Sequence, residues 1–346
     1  MSIREISKYV FGLVLAAILM IWVFRGTDAR TLWGEIRQAS IPGLLFGGAL
    51  NLGHNVFRVF RWKVLLAPVR RGLGFRGMFA AVIVGYMTSW VVPGRLGELV
   101  RPMLVSAREG IALGPVVGSV VVDRVLDLVS VAFVLAIGLW ITPLPGGAIE
   151  HASLMKSAAA LMTAGGVLVL VAMVAMSVYG DRLAPWFAGR GRVLRWIGRA
   201  GLSLAHGAGA LRSLRSILAV LALGLAAWLT IVLGTWICIR SAGADVSIGA
   251  VMVILPMLVI GVAVPTPGGA GSYHGAMKAG LVLFGVPAVS AVSAGLLTHA
   301  VITIPIIVVG VLMLWTENMR WSDLVSGARQ FRHLGSEPGS RLEGVS

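Results

Sequence analysis

The sequence has little of what soluble chemistry uses. Of its 346 residues, 12% are charged, six are histidine and one is cysteine. One cysteine excludes a disulfide framework and a cysteine-based metal site. Cys238 lies in an apolar run and reads as a small packing residue. No P-loop, Rossmann fingerprint, HExxH or GxSxG pattern occurs. That excludes the common soluble-enzyme sites, and leaves ATP-driven transport dependent on a separate ATPase. No cofactor is expected, and no metal either, because the intramembrane acids lack a further set of ligands.

Apolar sequence takes the place of these features. It makes up 58% of the chain, with a mean hydropathy of +0.91, which describes an all-α polytopic membrane protein. The net charge of +15 does not point to nucleic acid, since no soluble module remains to bind it. Basic residues instead fall between apolar segments, as cytoplasmic loops require. The first apolar run is followed by Arg25 with no small-residue cleavage pattern, so it reads as a retained helix.

Expected spans run at about 8–25, 41–57, 77–107, 112–142, 157–179, 213–239, 248–285 and 287–315. Two of them, 77–107 and 248–285, are too long for one crossing of about 20 residues. Both are interrupted. The first contains Pro93-Gly94-Arg95-Leu96-Gly97-Glu98-Leu99-Val100-Arg101-Pro102, and the second Pro265-Thr266-Pro267-Gly268-Gly269-Ala270-Gly271. Backbone broken in this way persists at membrane depth only where protein buries it or it lines water. Six full spans plus two re-entrant hairpins are therefore expected. The segments 58–76 and 180–212 are Arg-rich and should be cytoplasmic, as should both termini. That holds only if each interrupted stretch returns to its own side.

Pro93 and Pro267, the span starts near 41 and 213, and Trp140 and Trp315 are separated by nearly equal intervals. With the charge pattern, this predicts an inverted repeat of halves 1–142 and 157–315, whose broken helices meet near the midplane. Residues 1–315 would form one membrane domain and 316–346 a flexible cytoplasmic tail.

Arg95, Glu98 and Arg101 recur at three-residue spacing and share a face if a helix starts after Gly94. Glu98 can pair with either arginine and leave the other for an anion; Arg suits phosphate through its planar fork. Asp123, Arg124 and Asp127 lie near mid-bilayer, about 16 Å into their span at 1.5 Å per residue. Arg124 can reach Asp127, and a free arginine of the first motif can reach the acids. The group is either a structural network or a transport and proton-relay site. Arg58, Arg61 and Trp62 read as an interfacial cluster that can also attract a headgroup. The second motif offers Thr266, Ser272, Tyr273, His274 and the amides after Gly268 and Gly269. These either bind an anion at a half-helix N-terminus or satisfy the broken backbone. His299 reads as a helix–helix hydrogen-bond partner.

Arg61-Trp62, the Pro93–Pro102 string, Asp123-Arg124-Val125-Leu126-Asp127, the second Pro-Gly motif and Gly285-Val286-Pro287 occur in that order. Together they resemble the lysylphosphatidylglycerol synthase transmembrane, flippase-like family over about residues 41–315. The resemblance implies a multi-pass protein of a bacterial or archaeal cytoplasmic membrane that handles phospholipid or another anionic polar lipid. Family members with aminoacyl-transferase activity carry it in an added soluble domain that this sequence does not contain. The expectation is therefore a lipid transporter. The alternatives are a membrane subunit that presents lipid to a separate synthase or transferase, or a protein whose charges only hold the fold. His274 stands where many relatives have Glu.

Overall fold

The computed structural model describes residues 3–92, 97–143, 152–188 and 207–317. Arg95, with the rest of 93–96, lies outside them, as do Arg190, Arg192, Arg195 and Arg199 and the tail beyond Glu317. Eleven α-helices and no strand occur among the described residues.

Helix α1 (Ile3–Phe24) is followed by α2 (Ala29–Gln38), bent from it by 87°. Asp28 starts α2: its carboxylate accepts the Thr31 amide and hydroxyl, each at 2.8 Å. Those bonds hold the Asp28 carboxyl below the usual range. The polar α2 was not expected from hydropathy.

The next three elements are α3 (Ile41–Leu66), the pair α4 (Phe75–Val91) and α5 (Gly97–Glu109), and α6 (Leu113–Ile141). After α7 (Ala152–Ala188) the same order returns as α8 (Leu214–Ser241), the pair α9 (Ile248–Ala263) and α10 (Ser272–Leu283), and α11 (Ala288–Thr316). Both Pro-Gly motifs break helices, as expected. The members of the broken pairs have 17, 13, 16 and 12 residues, each short of the roughly 20 that a bilayer core needs. Within α7, α8 and α11, the segments Ala159–Tyr179, Leu214–Ser241 and Ala288–Thr316 are long and apolar enough to cross.

Small residues set the packing, because lipid supplies no hydrophobic force between helices. A Cβ on Gly47 would lie 2.7 Å from the Gly234 carbonyl oxygen, and one on Gly234 would lie 2.8 Å from that of Gly47. Gly43 faces Ser241 and Gly224 faces Arg61, so α3 and α8 run antiparallel along their length. The broken pairs then cross over between halves. Gly138 of α6 receives Met252 of α9, and Gly310 of α11 receives Met87 of α4.

Helix α3 does not end at residue 57. It continues through Arg58, Arg61 and Trp62, and the loop begins after Leu66. Arg70 and Arg71 remain in that loop and Arg76 lies in the first turn of α4, so the segment stays basic with fewer charges than expected.

At the far end of α4–α5, Glu317 accepts hydrogen bonds from Arg108 and, at 2.8 Å, from Arg76. It ties the open end of the hairpin to the end of α11. Arg108, then Arg76, hold the Glu317 carboxyl below its usual range. A depressed folded-state value means that the latch stabilises above the unfolded carboxylate range and weakens as pH falls through the folded value. Thermal unfolding of wild type and Glu317→Gln should therefore differ at neutral pH and converge in acid. A difference independent of pH would contradict the latch.

Candidate functional site

The elements of the first half bring four arginines and three carboxylates together. Asp127 accepts Arg58 Nη1 and Arg61 Nη2, both at 2.7 Å, Arg124 Nη1 at 3.3 Å and Trp228 Nε1 at 3.2 Å. Asp123 accepts Arg101 Nη1 at 3.0 Å and forms an ion pair with Arg61 Nη2 at 2.7 Å, while Arg61 Nη2 donates to the Asp123 backbone carbonyl at 3.4 Å. Arg124 Nε donates to Glu98 at 2.8 Å. Helical spacing explains the arrangement. Arg58 and Arg61 share one face of α3, and Asp123 and Asp127 share the opposing face of α6. The Arg101 guanidinium carbon sits 3.9 Å from the Trp62 ring centre, and the Trp62 indole N–H donates to Ser119. Charges at this depth persist because they are paired.

Beside this network is a cavity of about 670 Å³. Arg58, Arg124, Asp127, Glu98, Tyr86 and Trp228 line its charged end. Asn51, His54, Ser89 and Thr235 continue the wall, and Leu255, Leu258, Val259 and Val262 of α9 make it apolar. Leu128 of α6 also lines the cavity and is 58% exposed.

The third part is the meeting of the two breaks. Trp90, three residues before Pro93, lies against the second motif: a Cβ on Gly269 would be 3.2 Å from its ring. Gly268, Gly269 and Gly271 have φ of 59°, 66° and 78°, the left-handed region that glycine tolerates. His299 Nε2 donates to the Gly268 carbonyl at 3.0 Å. The His274 and His299 ring centres are 4.7 Å apart, with Tyr273 4.9 Å from His299.

A model of the lysylphosphatidylglycerol synthase TM region matches residues 9–310. The chain belongs to this family. No curated protein and no solved structure matches it.

In this lysylphosphatidylglycerol synthase TM protein, the expected site residues fall into three groups. Glu98, Asp123, Arg124, Asp127 and Arg101 come together; an arginine of the first motif was expected to reach the acids, and among the described residues it is Arg101, at Asp123. Glu98 pairs with Arg124 instead of with an arginine of its own motif. Arg58, Arg61 and Trp62 are not interfacial. They are 5%, 0% and 0% exposed, because α3 extends inward and α6 supplies the counter-charges. The amides of the second motif are already used: Gly269 donates to Thr266, Ala270 to Pro267 and Gly271 to His274 Nδ1. Thr266 and Ser272 bond each other. This motif satisfies its own broken backbone, and His274 acts as part of the N-terminal cap of α10.

Tyr86, Trp90, Trp228, Asn51 and Thr235 were not anticipated. Tyr86 and Trp90 carry a usable signal: two aromatics four residues apart just ahead of a charged break share one helix face.

Proposed function

We propose that this chain moves an anionic polar lipid between the leaflets of a cytoplasmic membrane. The observation that carries the reading is the cavity, which joins buried Arg58 and half-buried Arg124 to an apolar wall, with exposed Leu128 also on its lining. A headgroup phosphate would lie near Arg58 and Arg124, with acyl chains along α9. Arginine fits this role because its fork can bind two phosphate oxygens. The antiparallel run of α3 and α8, the repeated element order and the crossed-over broken pairs support an inverted repeat with two re-entrant hairpins. In such a design, rocking of one half against the other exposes a midplane site to each side in turn. The basic segments support cytoplasmic termini.

The test uses the full chain in proteoliposomes with a fluorescent anionic phospholipid and a reagent that quenches only the outer leaflet. Arg124→Gln removes one charged hydrogen bond of about 1.5–3 kcal/mol, so transport should slow roughly ten- to hundredfold. An unchanged rate in the folded variant would remove Arg124 from the site. Wild-type protein that binds lipid without moving it would favour the lipid-presenting subunit instead.

A further inference from the structure

The polar wall of the cavity is longer than a phosphate needs. On α3, Asn51, His54 and Arg58 all line it, at helical intervals that put them on one face. The seven steps from Asn51 to Arg58 rise roughly 10 Å at 1.5 Å per residue. Across from them, α8 runs antiparallel. Its Trp228 donates to Asp127 beside Arg58; two turns on, Gly234 packs on Asn51, where an added Cβ would meet Nδ2 at 2.5 Å, and the following Thr235 lines the cavity as Asn51 does. The cavity therefore has a charged end and, two helical turns away, a neutral polar end.

The neutral end is buried and holds free hydrogen-bonding capacity. Asn51 is 3% exposed and Thr235 1%. The Asn51 amide donates to the Gly47 carbonyl, which leaves its oxygen open, and the Thr235 hydroxyl has no hydrogen bond among the described residues. Between the two ends, His54 donates from Nδ1 to the Asn51 carbonyl. A neutral imidazole committed in that way offers an acceptor at Nε2. The end is thus rich in acceptors and suits hydroxyl donors.

The charge balance limits what can come with those hydroxyls. Among the described residues the cluster holds four arginines against Glu98, Asp123 and Asp127, an excess of one positive charge. Each of these carboxylates already accepts an arginine. One phosphodiester monoanion neutralises the excess. An ammonium on the headgroup would add to it and find no unpaired carboxylate in the cluster.

We infer that the cavity takes a phosphodiester lipid with an uncharged, hydroxyl-rich headgroup and discriminates against a cationic aminoacyl headgroup. Arg58 and Arg124 hold the phosphate, and Asn51 and Thr235 hold the hydroxyls. This rests on the lipid reading above and narrows it.

Equilibrium binding to the purified full chain in neutral detergent tests it. Three lipids with the same acyl chains are compared: phosphatidylglycerol, phosphatidylethanol, which keeps the phosphodiester but has no hydroxyl, and lysyl-phosphatidylglycerol. Phosphatidylglycerol should bind about tenfold more tightly than either, the scale of one buried hydrogen bond. Thr235→Val keeps the side-chain shape and should narrow the ratio of phosphatidylglycerol to phosphatidylethanol; an unchanged thermal midpoint shows that the fold survives. Equal or tighter binding of the lysyl lipid would overturn the charge argument. A ratio that survives both Thr235→Val and Asn51→Ala would overturn the hydroxyl assignment. If folded protein binds none of the three, the lipid reading itself fails.

Discussion

Replacing Asp127 by alanine should cost about 3–5 kcal/mol and leave little folded protein, the range for breaking a buried ion pair from one side. Arg58, Arg61 and Trp228 share this carboxylate. Without it Arg58, 5% exposed, loses its carboxylate partner, and Arg61, 0% exposed, is left with Asp123 alone. Arg124 loses less because Glu98 still accepts its Nε. Asp127→Asn should be milder, since an amide oxygen still accepts while the charge is lost. Combining Asp127→Asn with Arg58→Met removes one charge of each sign and should recover part of the loss. Midpoints of thermal unfolding by size-exclusion chromatography in detergent would rank the three. Alanine within about 1 kcal/mol of wild type would show that the cluster is not closed around this carboxylate.

The second large effect is expected at Gly97. A Cβ there would lie 1.8 Å from the Gly85 carbonyl oxygen and 2.3 Å from Ser89 Oγ. A contact against backbone cannot be relieved by rotating a side chain, so α5 must move off α4. Arg101 is one turn further along α5 and would be drawn from Asp123, 3.0 Å away. Overpacking of about 1–3 kcal/mol then adds to a disturbed ion pair. Gly97→Val should be recovered largely as aggregate, and Gly97→Ala should have a clearly lowered midpoint. Gly34, with nothing within 4 Å of an added Cβ, is the control: alanine there should be neutral or slightly stabilising. Equal midpoints for Gly97→Ala and Gly34→Ala would mean that the hairpin tolerates separation.

Much of the architecture was legible because the membrane enforces simple rules. Long apolar runs must be helices, and Pro-Gly motifs inside them must be breaks. The repeated order of elements followed from spacing, the two Pro-Gly motifs and the charge pattern together, and the need of the buried acids for an arginine of the first motif was visible, though not which arginine. The errors have one source. Arg58 and Arg61 look like loop residues in sequence, since their partners lie more than 60 residues downstream. Charge is read locally, whereas pairing is decided by packing. The second motif was ambiguous for a related reason. Freed amides are equally visible whether they bind a ligand or a neighbouring carbonyl, and His274 reveals its capping role only once Gly271 is placed. Asn51 and Thr235 carried no signal of their own, because the antiparallel run of α3 and α8 brings them together.

The charge cluster also sets the order of assembly. Helix α3 leaves the ribosome with Arg58 and Arg61, each worth about 2.5–3.5 kcal/mol against insertion when alone at mid-bilayer. The acids that offset them are made later on α6, and Trp228 later still on α8. The ion pairs of α3 can therefore close only once α6 has been made, more than 60 residues later in the chain. Charge balance in this part of the bundle is completed late in synthesis, between helices and not within each helix as it is made.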